Sequence, residues 1–148
     1  MERLYERVRH SLATELHAAI AQAMDAHGEL DPPLRLATGL RMLVRLAHDN
    51  PPMGRFIVRF GLTDESLREM LSGPPMQDIR AGLAANRYAF RAGLELSVAS
   101  MLIGTTISAM WTVLEGHHAW REAGSKAAEL VLCALGVPPE EARQIAGF

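Results

Sequence analysis

The sequence has one cysteine, Cys133, one lysine, Lys126, and an aromatic share of only 5% in 148 residues. A single cysteine excludes an intramolecular disulfide framework and any multi-thiolate metal site, and it points to a reducing, cytoplasmic setting. Charge of either sign is also scarce in the net: 15 basic against 17 acidic side chains leave −2. A surface built as a whole to follow phosphates would be strongly basic, so that class is excluded. Fourteen arginines beside one lysine, with abundant alanine, read as the composition of a GC-rich genome and not as a phosphate site. There is no Gly-rich phosphate loop, since Gly61, Gly73 and Gly82 are too scattered. No signal peptide is visible either, because Glu2, Arg3, Glu6, Arg7, Arg9 and Glu15 occupy the stretch where its apolar region would lie. Alternating strand patterns, internal repeats and low-complexity segments are all absent.

What is present is helical. With 49% apolar and 22% charged residues, the chain reads as one soluble domain that buries roughly two thirds of its extended surface. Leu4, Val8, Leu12, Leu16, Ile20 and Met24 recur every fourth residue, predicting a first helix over 1–27 that Gly28 ends. Asp31 and Pro32 open a second helix as N-cap and first residue, with Leu36, Leu40, Leu43 and Ala47 on its core face. Asn50 and Pro51 repeat that signal for a short helix carrying Met53, Phe56, Ile57 and Phe60, which Gly61 stops. Thr63, followed by Asp64 and Glu65, opens a further segment with Leu67, Met70 and Leu71. After Ser72–Pro75 comes a helix with Met76, Ile79 and Leu83 inward and Gln77, Asp78 and Arg80 outward. Its exit through Asn86 to Gly93 reads equally as helix continuation or as an irregular link. Two long helices, about 95–115 and 119–135, end at Gly116 and Gly136, and a short helix follows Pro138 and Pro139. The fold class is all-α with about six or seven helices.

The long pair at 95–136 is the most informative stretch. Leu96 to Leu114 is the longest uncharged run, nineteen residues. It approaches membrane-spanning length, but Ser97, Ser100, Thr105, Thr106, Ser108 and Thr112 dilute it and no second span accompanies it, so no membrane partner is expected. Val98, Met101, Leu102 and Ala109 mark one side; Ile103, Ile107, Met110 and Leu114 mark another. A helix apolar on every face needs neighbours on every face. The next helix carries Trp120, Ala127, Val131 and Ala134 on one stripe, with Leu130, Leu132 and Leu135 beside it. Leaving four or five such side chains uncovered would forgo about 1.5–3 kcal/mol each. A homodimer that packs the pair on its own copy as a four-helix bundle removes that loss; the expected interface is Ile103, Ile107, Met110, Leu114, Trp120, Ala127, Val131 and Ala134.

The order of these elements resembles the C-terminal ligand-binding and dimerisation domain of tetracycline-repressor (TetR) family regulators. The segments that carry the resemblance are 40–60 (LRMLVRLAHDNPPMGRFIVRF), 73–83 (GPPMQDIRAGL), the long apolar helix 96–116 and 127–143 (AAELVLCALGVPPEEAR). The opening ERLYERV is similar to the helix that connects the family's DNA-binding head to this domain. The head's helix-turn-helix signature is not found, so the chain reads as a fragment of about three quarters of a regulator, since a three-helix head takes about 45 residues. The resemblance implies a single effector-binding and dimerisation domain over 1–148, with 1–27 as connecting helix and 95–136 as the main dimerisation helices. It implies a homodimer, a small-molecule effector, and DNA contact only through the N-terminal head.

The same resemblance implies a cavity between the earlier helices. Its candidate lining is Met42, Leu46, Phe56, Phe60, Met70, Met76, Ile79, Leu83, Tyr88 and Met101, with polar contacts from Arg45, Arg59, Arg87 and Thr105. Eight methionines suit an adaptable pocket, because the thioether refills irregular space. The expected effector is apolar or amphipathic. No cofactor is expected: His10 and His17 stand two turns apart, about 10 Å, too far to share an ion, and Glu115 with His118 has no second copy of its spacing. Cys133, in an apolar stripe, reads as an inert core thiol, and no nucleophile elbow or paired carboxylates suggest an enzyme. A helical homodimerisation module without ligand, and a small helical enzyme or metal protein, are the alternatives.

Overall fold

A computed structural model describes residues 7, 19, 20, 22, 24 and 30–147. The chain divides at Leu30 and Asp31 into two units. In the first, Arg7, Ala19, Ile20, Gln22 and Met24 are helical; the rest of the expected first helix, its stop at Gly28, and His10 and His17 lie outside the described residues. The second unit holds seven α-helices and, among the described residues, no strand: α1 (Pro32–Asp49), α2 (Pro51–Phe60), α3 (Asp64–Ser72), α4 (Pro74–Ala84), α5 (Glu95–Leu114), α6 (Trp120–Ala134) and α7 (Pro139–Ala146). The all-α class and the order of the helices are as the sequence implies.

Local chemistry sets the boundaries. Prolines at the first turns of α1, α2, α4 and α7 bring a fixed φ and lack an N–H that would have no partner there. Asn50 caps α2 by accepting the Met53 N–H at 3.3 Å, and Thr63 caps α3 by accepting that of Ser66 at 3.1 Å. Asp31 sits at the N-cap of α1 but makes no side-chain cap bond, because its carboxylate is engaged elsewhere.

The hub of the unit is α1, which packs against α2, α4, α5, α6 and α7. Its buried face is Ala37, Leu40, Val44 and Ala47, with Leu36 and Leu43 packed beside it. Close approach depends on small residues: a Cβ on Gly54 of α2 would lie 2.9 Å from Ala47 Cα, and one on Gly124 of α6 would lie 3.5 Å from Arg41 Cα. Helix α6 presents Ala123, Gly124, Ala127, Ala128, Val131 and Leu132 inward, and α7 closes over its end with Ala142 and Ala146 buried.

Three expected interface residues belong instead to this core. Met110, Ala127 and Val131 are buried within one chain and are not free to meet a partner. Met110 stands about three turns after Ala99 and therefore shares its inward side; α5 turns Val98, Ala99, Leu102, Ala109 and Met110 inward. On α6 the phase is also shifted, so that Leu130, Cys133 and Ala134 face outward. Cys133 is exposed, which corrects its reading as a core thiol.

The α6–α7 turn needs glycine at 136. Its φ is +94°, and a Cβ there would lie 2.7 Å from the Ala89 carbonyl oxygen, combining backbone strain with a clash against main chain. Gly136→Ala is expected to lower unfolding free energy by about 2–3 kcal/mol. Gly124→Ala, whose Cβ finds ordinary contacts from 3.4 Å outward, is expected to stay within about 1 kcal/mol of the parent; denaturant titration measures both.

Candidate functional site

The segment between α4 and α5, residues 85–94, is an irregular link and not a helix continuation. Asn86 turns the chain at φ 58°, a left-handed conformation that asparagine tolerates better than most residues. The Gly82 carbonyl then accepts from the backbone N–H of Arg87 at 2.8 Å and of Tyr88 at 3.3 Å, and Ala89 N–H donates to the Leu135 carbonyl at 2.8 Å. Three consecutive residues of the link are thus tied to α4 on one side and to the end of α6 on the other.

This anchoring lays the Tyr88 ring on Gly82. A Cβ at position 82 would come within 2.1 Å of Tyr88 Cε2, so only glycine admits the ring at this height. Tyr88 is 5% exposed and lies in the core cluster with Met76 and Ile79, both fully buried. Its hydroxyl oxygen is buried and, among the described residues, has no hydrogen-bond partner. Such a group costs about 1–3 kcal/mol, and each one in a native structure calls for a physical reason.

Charged groups gather around the same turn. Arg87 donates to Asp31 through Nε at 3.0 Å and Nη2 at 2.7 Å, a forked pairing, and Nη2 also donates to Glu141. These bonds, that to Asp31 first, hold the guanidinium above its ordinary pKa range against partial desolvation. One side chain therefore joins the start of α1, the link and the first turn of α7. Next to it, Arg35 Nε donates to Asp78 at 3.2 Å, so Asp78 of α4 is half-buried and paired, not simply outward.

The residues expected to line a cavity differ in burial. Met76, Ile79 and Tyr88 are core, and Met70, Leu83 and Met101 pack against that core. Met42, Leu46, Phe56, Phe60 and Thr105 are half-buried; Phe56 and Phe60 face each other with ring centroids 5.0 Å apart. Arg45 and Arg59 are exposed, Arg45 pairing with Asp49 at 3.2 Å and lying over Trp120, Arg59 lying over Phe60. Asp31, Arg35, Asp78 and Glu141 were not singled out as site residues. Their partners are 43 to 56 positions away, and no local pattern signals such a pairing. Among the described residues, no group of three or more His, Cys, Asp or Glu is placed to hold a metal ion.

The buried phenol makes stability depend on alkaline pH. Burial raises the Tyr88 pKa, Asp31 and Asp78 raise it further, and Arg87 opposes them. The unfolded chain releases this proton near the ordinary value of 10.0 while the folded chain retains it, so the contribution is intact below that pH and stability falls as pH rises beyond it. The thermal midpoint is expected to fall more steeply above pH 10 in the wild type than in Tyr88→Phe, as read by circular dichroism.

Residues 31–147 match the family described as "Tetracyclin repressor-like, C-terminal domain". No curated protein matches the chain. Among solved structures, the crystal structure of RolR in complex with the ligand resorcinol superposes with a TM-score of 0.79 and 25% sequence identity, covering 99% of this chain and 70% of that one. With seven helices in the family's order and the match running from the first residue of the second unit to the end of α7, the chain belongs to the tetracycline-repressor family, and residues 31–147 are its C-terminal domain.

Proposed function

We propose that this domain senses an apolar or amphipathic small molecule and, as a homodimer, passes that signal to DNA binding by an N-terminal helix-turn-helix head. The observation that carries the reading is the likeness to RolR over 99% of the chain, a protein whose bound ligand, resorcinol, is a compact aromatic ring with polar groups. The domain acts in the cytoplasm as a regulator and not as an enzyme. The effector contacts fall among Met76, Ile79 and Tyr88 of the core and Met70, Leu83 and Met101, which pack against it, with the half-buried Met42, Leu46, Phe56, Phe60 and Thr105 as further candidates.

Support for the dimer comes from the outer side of the long pair. Only 28% of the most apolar stretch of α5 is buried inside the chain; Leu96 is 56%, Trp111 46% and Leu130 65% exposed. Between the large side chains runs a ridge of small residues, Ser97, Ser100, Gly104 and Ser108, and a Cβ on Gly104 would meet nothing within 4 Å. Small residues flanked by large apolar ones let a second helix approach closely. The proposed seam therefore runs through Leu96, Ile103, Gly104, Ile107 and Trp111 on α5 with Leu130 and Ala134 on α6; of the expected set it leaves out Met110, Ala127 and Val131, which are buried, and Leu114 and Trp120, which pack against the core of their own chain.

Light scattering on a sizing column tests the assembly. The 16.2 kDa chain is expected to run as a dimer at micromolar concentration, and Trp111→Arg with Leu130→Arg to weaken association by about 100-fold or more while leaving the helical signal intact. A wild-type monomer at that concentration rejects the dimer. Calorimetric titration with resorcinol and related small aromatics tests the sensor: saturable one-site binding is expected, and its absence across such a panel rejects this effector class.

A further inference from the structure

Tyr88 is more than one apolar wall among others, because its polar end is held inside the domain with no hydrogen-bond partner among the described residues. The ring is fixed on Gly82, and the backbone on both sides of it is tied to Gly82 and Leu135, so the hydroxyl is not free to swing out to solvent. The two carboxylates whose charge acts on the phenol, Asp31 and Asp78, are bonded to Arg87 and Arg35. An unbonded polar group enclosed in this way disfavours the packing that contains it. A second molecule that brings a hydrogen-bonding atom to that oxygen gains a bond which the domain alone does not make, and so favours a bound arrangement over the unbound one.

We propose that the Tyr88 hydroxyl is the polar anchor of the effector, taking a hydrogen bond with an oxygen or nitrogen of a compact, mostly apolar molecule that is electrically neutral. The assignment rests on the reading of the domain as an effector sensor and adds the atom that reads the ligand's polar group. Neutrality follows from the surroundings: the ion pairs at the turn join three carboxylates, Asp31, Asp78 and Glu141, to the two guanidiniums of Arg35 and Arg87 among the described residues, and the residual negative charge of that group repels an anion. The apolar requirement follows from Met76 and Ile79, which share the core cluster with the ring.

The experiment compares the wild-type chain with Tyr88→Phe, first by thermal unfolding without ligand and then by calorimetry with phenol, toluene and benzoate. Removing a hydroxyl that has no partner is expected to keep or raise the thermal midpoint, by up to about 4 °C. Phenol is expected to bind Tyr88→Phe about tenfold more weakly than wild type, toluene to bind the two equally, and benzoate to bind the wild type more weakly than phenol does. A midpoint several degrees lower in Tyr88→Phe overturns the assignment, because the hydroxyl then has a partner in the free domain. Equal losses for phenol and toluene overturn it too, reducing Tyr88 to a shape-filling role. If the wild type binds toluene but not phenol, the anchor fails and the sensor reading stands; if it binds none of the three, both fail for this class of molecule.

Discussion

The close packing of α1 against its neighbours is the constraint on which the rest of the domain depends. Helix α1 can be surrounded because the residues facing it are small: Gly54 and Ala47 meet where α2 crosses it, and Gly124 rests against Arg41 where α6 does. Alanines at 37, 47, 123, 127 and 128, all buried, continue the same seam. Short side chains bring helix axes together, and the favourable term there is dispersion over many near contacts rather than the burial of a few large groups. Alanine abundance, which in the sequence reads as genomic composition, has a packing role at these positions.

With the central place taken by α1, the most apolar helix lies at the side. Helix α5 gives Val98, Ala99, Leu102, Ala109 and Met110 to the core and keeps Leu96, Ser97, Ser100, Ser108 and Trp111 outside. An uncovered apolar face of that length is unusual for a soluble chain on its own. The pairing with a second copy proposed for it is therefore a consequence of which helix occupies the hub. It needs no special feature of α5 beyond its small ridge.

Much of this fold was legible in the sequence, and the reason is local. The prolines opening α1, α2, α4 and α7, the Asn50 and Thr63 caps and the stops at Gly61, Gly116 and Gly136 each act through their own neighbours along the chain, so their effects could be read in order. The faces of α5 and α6 were not legible. Helix α5, apolar all round, has no phase that marks one side as inner, which is why Met110 is misplaced in the sequence reading; α6 has a polar side in Arg121, Glu122, Lys126 and Glu129, but its run 130–134 is apolar throughout and does not show that Ala127 and Val131 are buried while Cys133 is exposed. Charge pairing failed for a different cause. Asp31 reads as an N-cap by every local rule, yet its carboxylate is bonded by Arg87, 56 positions away. At the candidate site, the apolar types of Met70, Met76, Ile79, Leu83, Tyr88 and Met101 mark them in the sequence as residues in or against the core, whereas the charged pairs beside Tyr88 are a product of folding alone.

Tyr88 and Arg87 are consecutive, and this adjacency joins the apolar and ionic halves of the site. The Arg87 side chain bridges the beginning of α1 and the first turn of α7, and its backbone N–H is bonded to Gly82 together with that of Tyr88. Charge-assisted bonds of this kind are stronger than neutral ones, and they fix the link firmly enough that the phenol cannot relax toward water. An unbonded hydroxyl persists only where the surroundings over-determine its position, and here they do so from four elements, α1, α4, the end of α6 and α7. The same rigidity has a second effect. The backbone that fixes the ring on Gly82 also positions the Arg87 side chain that holds Asp31 at the start of α1.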